Sequence, residues 1–255
     1  SKNKMLQVPN NAFTTDYAGA TILTAKGQPA NQFYGYVAKG VFATTAEAHA
    51  AALQKKNTDG TYSSFAAGDV WFEDLNGDHL IDENDRKVIG DPNLDYFGGI
   101  TNRVIYKNFE LNALLTFSQG NDVYNNIRYR LEAMTGAENQ LQSVRNRWQG
   151  EGQVTTTPKA TWNDPMGNSR FSDRWIEDGS YLRLRTVSLQ YHVPVNGGFV
   201  NSVTVYATGN NLFTLTRYKG YDPEFSANPS PFAQGIDTGL DPLFKSVTLG
   251  VRVGL

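Results

Sequence analysis

The sequence predicts an all-β protein of antiparallel strands, and three observations carry that prediction. The final stretch alternates strictly, with Val247, Leu249, Val251, Val253 and Leu255 set against Thr248, Gly250, Arg252 and Gly254. That is the period of two by which a strand divides its side chains between two faces. The same period recurs upstream: Val187, Leu189, Tyr191 and Val193 stand against Thr186, Ser188, Gln190 and His192, and Val203, Val205 and Ala207 against Thr204, Tyr206 and Thr208. Third, the connections are of two kinds, very short and very long. Two architectures fit. A soluble sandwich turns such an apolar row onto a core. A transmembrane barrel turns it onto lipid and gives its polar row to a watery lumen, where Arg252 is at home.

Taken in order, the chain first offers an Ala-rich run over 45–55 behind Thr44 or Thr45 as N-cap, which predicts a helix. Residues 68–73 are short and β-prone. An acidic loop follows, and then a turn over 88–93. Residues 96–106 read as a strand, Lys107 and Asn108 as a tight turn, and 109–117 as a second strand with apolar odd positions. Residues 118–180 form a long connection with helical stretches expected over 127–134 and 139–148. Connections of such length are uncommon in compact domains and are usually functional. A strand begins at Tyr181, and its link to the strand at Val203 is short. The segment 217–244 is long again and rich in Pro, Gly, Asn and Asp. If the chain ends on the inner side of a membrane, the long connections and the acidic loop fall outside the cell.

The acidic loop carries the most specific spacing. From Asp74 to Asp85, oxygen-bearing side chains fall at the first, third, fifth, ninth and twelfth positions, as in a calcium loop of about 12 residues. A hard cation takes about 6–8 oxygens at about 2.3–2.6 Å. The predicted ligands are Asp74, Asn76, Asp78, the carbonyl of Leu80, Asp82 and Asp85, with Ile81 turned inward to pin the loop. His79 stands at the turn position that usually holds Gly, so it must adopt positive φ. Asp85 is shorter than the Glu that usually grips the ion, which predicts a weak site. The other reading is an acidic Asn-Gly turn with no ion, and the ligand count favours calcium.

No constellation points to catalysis. His49, His79 and His192 are scattered, no phosphate loop or nucleophile elbow occurs, and Glu177 and Asp178 read as part of a turn rather than an acid–base pair. The 255 residues include no Cys and carry a net charge of −2. The charge argues against nucleic acid as a partner. No apolar run approaches the roughly 18 residues of a membrane helix, which leaves a barrel open, since its apolarity hides in alternation. Trp148, Trp162, Trp175, Tyr218 and Tyr221 lie in the proposed outer loops or near an interface. For each of them loop packing or an aromatic girdle is favoured over ligand contact.

Five segments, in order along nearly the whole chain, resemble the SusC/RagA-type TonB-dependent outer-membrane transporters of Bacteroidota. They are Phe33-Tyr34-Gly35-Tyr36 with Gly40-Val41-Phe42, then Asp74-Leu75-Asn76-Gly77-Asp78 through Asp85-Arg86, and Arg147-Trp148. Ile176-Glu177-Asp178-Gly179-Ser180-Tyr181-Leu182-Arg183-Leu184 follows, and then Asn211-Leu212-Phe213-Thr214 with Tyr218-Lys219-Gly220-Tyr221-Asp222-Pro223-Glu224. The resemblance implies an antiparallel transmembrane β-barrel with long extracellular loops. Residues 1–255 would be the C-terminal portion of a barrel of about 22 strands, with the N-terminal plug outside this chain. It implies import of oligosaccharides or peptides with energy from TonB, a SusD-like surface lipoprotein over the mouth, outer-membrane lipid around the strands, and the remainder of the barrel at both edges. One departure is Leu255, where such barrels usually end on an aromatic. The competing expectation is a secreted, calcium-stabilised, glycan-binding β-sandwich.

Overall fold

The computed structural model describes residues 3–196, 198–224 and 234–255. Its largest sheet has five antiparallel strands: β1 (Tyr96–Tyr106), β2 (Phe109–Gln119), β3 (Tyr181–Val193), β4 (Ser202–Thr216) and β5 (Ser246–Gly254). In space they run β5-β4-β3-β2-β1, so each strand pairs with its neighbour in sequence. This is an up-and-down meander with β1 and β5 as its edges.

The register gathers the two predicted rows into two faces. Tyr106, Phe109, Tyr191, Val205 and Val251 lie side by side across all five strands, and so do Val104, Leu111, Leu189, Ala207 and Leu249. Residues directly opposite on antiparallel strands share a face, so both rows are apolar across all five strands; Asn102, opposite Ala113 at the β1 edge, is a polar residue on the same face. It is also uncovered: Val247, Leu249, Val251 and Val253 are 71%, 77%, 63% and 51% exposed. The opposite face aligns Arg103, Asn112, Ser188, Thr208 and Thr248. A sandwich would bury the apolar row against a second sheet, and the exposed row excludes that architecture for this sheet.

Two β-bulges interrupt the alternation. The register slips between Leu184 and Thr186 in β3 against both neighbours, and β4 answers with an extra residue between Asn210 and Phe213, where Asn211 takes φ 51°. A bulge flips the side-chain phase. This is why the alternation read over 203–209 stops there although β4 continues to Thr216.

The long connections all leave one end of the sheet, where Gln119, Tyr181, Thr216 and Ser246 lie. The other end has only the turn at Lys107 and Asn108 and the link from β3 to β4. The buried cores sit in these connections and in the N-terminal third, not in the sheet. One joins Phe42, Leu53, Phe65, Val70, Phe72 and Ile81; the other joins Ala20, Ile22, Phe33, Tyr124, Trp175 and Ile236.

The helices are shorter than the sequence predicts. α1 (Thr45–Ala51) begins at Thr44, whose hydroxyl accepts from the Glu47 N–H while the Glu47 carboxylate accepts from the Thr44 N–H. It stops because Ala52 turns left-handed at φ 54°, and Gln54–Lys56 leave as a strand paired to Tyr62–Ser64. α2 (Asn126–Glu132) falls close to the expected 127–134. The helix expected over 139–148 is reduced to a 3-10 turn at Gln142–Asn146, which has no side-chain cap at Leu141.

Candidate functional site: the polar face and its loop clamp

The upper half of the polar face is closed by one buried ionic cluster. The Arg183 side chain on β3 is 3% exposed. Its Nη2 donates to Asp222 Oδ1 at 2.6 Å, its Nη1 to Glu224 Oε2 at 2.5 Å and its Nε to Thr214 Oγ1 at 2.9 Å. Arg185, at the β3 bulge, donates to the other oxygen of Glu224. The second oxygen of Asp222 accepts from the Leu243 N–H at 3.2 Å. Buried charges persist only when paired and hydrogen-bonded, and this fan of donors satisfies that condition. Asp222, Glu224 and the Leu243 backbone are thereby held onto the polar face.

The chain after β4 has a second anchor. Tyr218 Oη donates to Asp237 Oδ2 at 2.5 Å, and burial, with the Asp237 carboxylate beside it, pushes the phenol well above its ordinary value. The Lys219 N–H donates to Glu177 Oε2 at 2.8 Å, and Arg128 holds the other oxygen of Glu177. Glu177 is thus a clamp residue, and Asp178 pairs with Asp122 in a short sheet. Toward the other end of the sheet, Arg103 grips Glu110 through Nε and Nη2, both at 2.9 Å, with His192 Nε2 3.6 Å from the same carboxylate.

The predicted cation loop folds as a chain of turns closed by its own side chains. Asp74 accepts from the N–H groups of Gly77 and His79, Asn76 Oδ1 from Asp78, Asp78 from Leu80 and Asp82 from Asn84. Burial works against the ionised form of Asp74, yet the N–H groups of His79 and Gly77 outweigh it and hold its carboxyl below the usual value. His79 takes φ 61°, as its position requires. Ile81 is buried in the first core. Asp85 is buried, and its two oxygens accept from the Leu75 and Asp82 N–H groups. Among the described residues, no three His, Cys, Asp or Glu side chains gather closely enough to hold a metal ion.

Of the aromatics, Trp175 is fully buried in the second core and Trp148 donates to the Ala43 carbonyl at 3.1 Å, so both pack loops. Trp162 and Tyr221 are exposed. The clamp is what sequence reasoning missed. Arg183, Asp222 and Glu224 sit in segments quoted above, but only the bulge at Arg185 and the return of the chain after β4 bring the charges together.

No protein-family model matches the chain. It is 30% identical over 268 aligned positions to TonB-dependent receptor P3 of Formosa agariphila, a match covering 99% of this chain and 26% of that protein. It is 34% identical to TonB-dependent receptor P26 of the same organism over 73% of this chain and 19% of that one, and 29% identical to TonB-dependent receptor SusC of Bacteroides thetaiotaomicron over 68% and 17%. The chain therefore spans about a quarter or less of these relatives. Its fold is similar to that of the RagAB peptide transporter, with a TM-score of 0.73 at 21% identity over 95% of this chain and 24% of that one. The RagAB peptide importer in its closed-closed state matches with a TM-score of 0.69, 21% identity, 95% of this chain and 25% of that one.

Proposed function

The chain belongs to the SusC/RagA family of TonB-dependent receptors, and on that premise we propose that it forms part of an outer-membrane active transporter for oligosaccharides or peptides. The observation that carries the proposal is the two-faced sheet. An exposed face whose apolar rows run across five strands needs a lipid solvent, and a polar opposite face suits a water-filled lumen. In this reading β1 and β5 pair with strands supplied by the rest of the barrel, because an open edge is not tolerated within a bilayer. TonB supplies energy through a plug carried elsewhere in the receptor. The loop-borne cores form an outer platform against which a SusD-like lipoprotein rests.

The acidic loop carries a separate proposal. Asp74, Asn76, Asp78, the Leu80 carbonyl, Asp82 and Asp85 take one calcium ion in a structural role. The succession of turns from Asp74 to Leu80 and the positive φ of His79 support it. The two N–H groups already held by Asp85, and the separation of the loop's carboxylates from one another, weigh against strong binding.

The test of transport is uptake of labelled oligosaccharide and peptide pools by cells carrying the intact receptor, with TonB present or deleted. Uptake of one class that vanishes with TonB supports the reading. Uptake indifferent to both receptor and TonB overturns it.

A further inference from the structure

Beneath the clamp lies a cavity of about 350 Å³. Its floor is the polar face, at Thr116, Ser118 and Tyr181, and Phe97 and Pro92 form one side. Arg185 and Glu224 both line it. The ionic cluster is unequal across this boundary. The side chains of Arg183 and Asp222 are 3% and 4% exposed, whereas those of Arg185 and Glu224 are 30% and 22% exposed. The inner pair does not depend on the outer one: Asp222 holds Arg183 and accepts from the Leu243 N–H. The outer pair stands at the cavity wall, where a solute can reach it.

We propose that this cavity binds a small ligand carrying a carboxylate beside an apolar group, and that Glu224 holds the carboxylate's place on Arg185 until such a ligand displaces it. The proposal rests on the reading of the polar face as a lumen reached by solutes. Four charges balance in the closed cluster, two guanidinium and two carboxylate, so a further anion is not drawn in by excess charge. Exchange is different. Replacing one carboxylate by another on the same guanidinium keeps the charge-assisted hydrogen bonds and leaves no buried cation unpaired. Glu224 can give up Arg185 and keep its other oxygen on Arg183. Arg185 sits at a β-bulge, where the ladder does not fix its backbone. The apolar walls at Phe97, Leu94 and Pro223 then select the group next to the carboxylate. Displacing Glu224 from Arg185 leaves Asp222 on Arg183, so binding exchanges one contact without dismantling the cluster.

The test uses the intact receptor in detergent and calorimetric titration with three probes: N-acetyl-phenylalanine, its neutral amide, and glucuronate. The acid binds roughly tenfold or more tightly than the amide, the worth of one charge-assisted contact, and glucuronate, lacking the apolar group, binds more weakly than N-acetyl-phenylalanine. Glu224→Gln, which removes the competitor at nearly constant shape, tightens the acid and leaves the amide unchanged; Arg185→Gln abolishes the preference for acid over amide. Equal binding of acid and amide by the unaltered receptor overturns the carboxylate assignment without recourse to any variant. Glucuronate binding as tightly as N-acetyl-phenylalanine overturns the apolar half, and a Glu224→Gln receptor no tighter than the parent overturns displacement. All three readouts need neither TonB nor a membrane potential, so a failure of the transport reading shows separately.

Discussion

Arg183 and Asp222 meet at 2.6 Å with both side chains almost wholly excluded from solvent, although 39 positions separate them in the chain. Removing one partner of such a pair leaves the other charge buried and costs about 3–5 kcal/mol. Arg183→Met is therefore expected to free the loop after β4, read as protease cleavage near Tyr221 in the intact receptor. Arg183→Met combined with Asp222→Leu is expected to restore part of the protection, because no charge is then left unpaired. A double variant cut as fast as the single one would show that the pair does not hold the loop.

The two faces of β5 make opposite predictions for neighbouring residues. Leu249 is on the exposed apolar row, and Thr248 is on the polar row beside Thr208. Leu249→Arg is expected to cost roughly 2–4 kcal/mol where the strand crosses the bilayer midplane, and Thr248→Arg much less. The folded fraction in isolated outer membranes, scored by heat-shifted electrophoretic mobility, distinguishes them. Equal folding of the two variants would contradict the assignment of faces.

The faces were legible in the sequence because a period of two leaves a direct trace. Strands β1 and β2 and the turn at Lys107 and Asn108 appear as read. The tail of β4 was not legible, since the bulge at Asn211 breaks the period without ending the strand. The clamp was not legible either: Arg183 and Asp222 are adjacent only in three dimensions, and nothing local to either residue marks the other. In the acidic loop the turns and the inward Ile81 could be read from spacing. The hold of the Leu75 and Asp82 N–H groups on Asp85 could not, because it depends on how the loop closes.

Gly35 lies where the N-terminal third meets the long connection. A Cβ there would stand 2.7 Å from the Phe171 carbonyl oxygen, the atom that accepts from the Tyr36 N–H at 3.1 Å. Gly35→Ala must push the two segments apart, at a cost of about 1–3 kcal/mol as overpacking. Trp175 is buried in the core formed with Phe33, so its fluorescence should shift to the red at a lower urea concentration in the variant. An unchanged midpoint would show that the interface has slack.

Asp122 supplies a pH dependence. Burial raises its carboxyl above the ordinary value of 3.8, and the carboxylates of Asp91 and Asp178 push the same way. Between the unfolded value and the raised folded one, the folded state binds more protons than the unfolded state, so stability falls as pH rises through that window. Acidification toward the lower edge of that window is expected to tighten the short sheet that joins Asp122–Asn125 to Ile176–Asp178. Asp122→Asn should flatten the dependence, because its amide oxygen can still accept the Asp91 N–H now held at 2.8 Å. Hydrogen exchange at Gly179, whose N–H donates to the Asn121 carbonyl at 2.8 Å beside the Asp122–Asp178 pair, followed against pH in both forms, is the measurement. A parent protein whose exchange rises on acidification, beyond the intrinsic pH effect, would reverse the sign and refute the argument.

Calcium is the last test, and the loop's own geometry sets its expected outcome. Asp74, Asp78 and Asp82 each accept backbone N–H groups, so the loop keeps its turns by itself. Ile81 pins it to the first core. Chelation is therefore expected to leave the turns and β1 to β5 in place and to loosen the acidic loop only where an ion would draw its carboxylates together, because neither the turns nor the ladder hydrogen bonds depend on an ion. Affinity should be low, in the range of about 10⁻⁴–10⁻³ M typical of extracellular modules, since each carboxylate oxygen shared with an N–H is a poorer ligand. Asp78→Ala should abolish the heat of calcium binding to the detergent-solubilised receptor. Asp85→Asn is the more informative change. If Asp85 is mainly the brace for the Leu75 and Asp82 N–H groups, the amide keeps only one of the two acceptor contacts, and the loop loosens even in saturating calcium. If Asp85 is mainly a ligand, calcium binding weakens while protease resistance of the loop at saturating calcium stays at the parental level. Identical heats for the parent and Asp78→Ala would remove calcium from this loop and leave it a hydrogen-bonded turn.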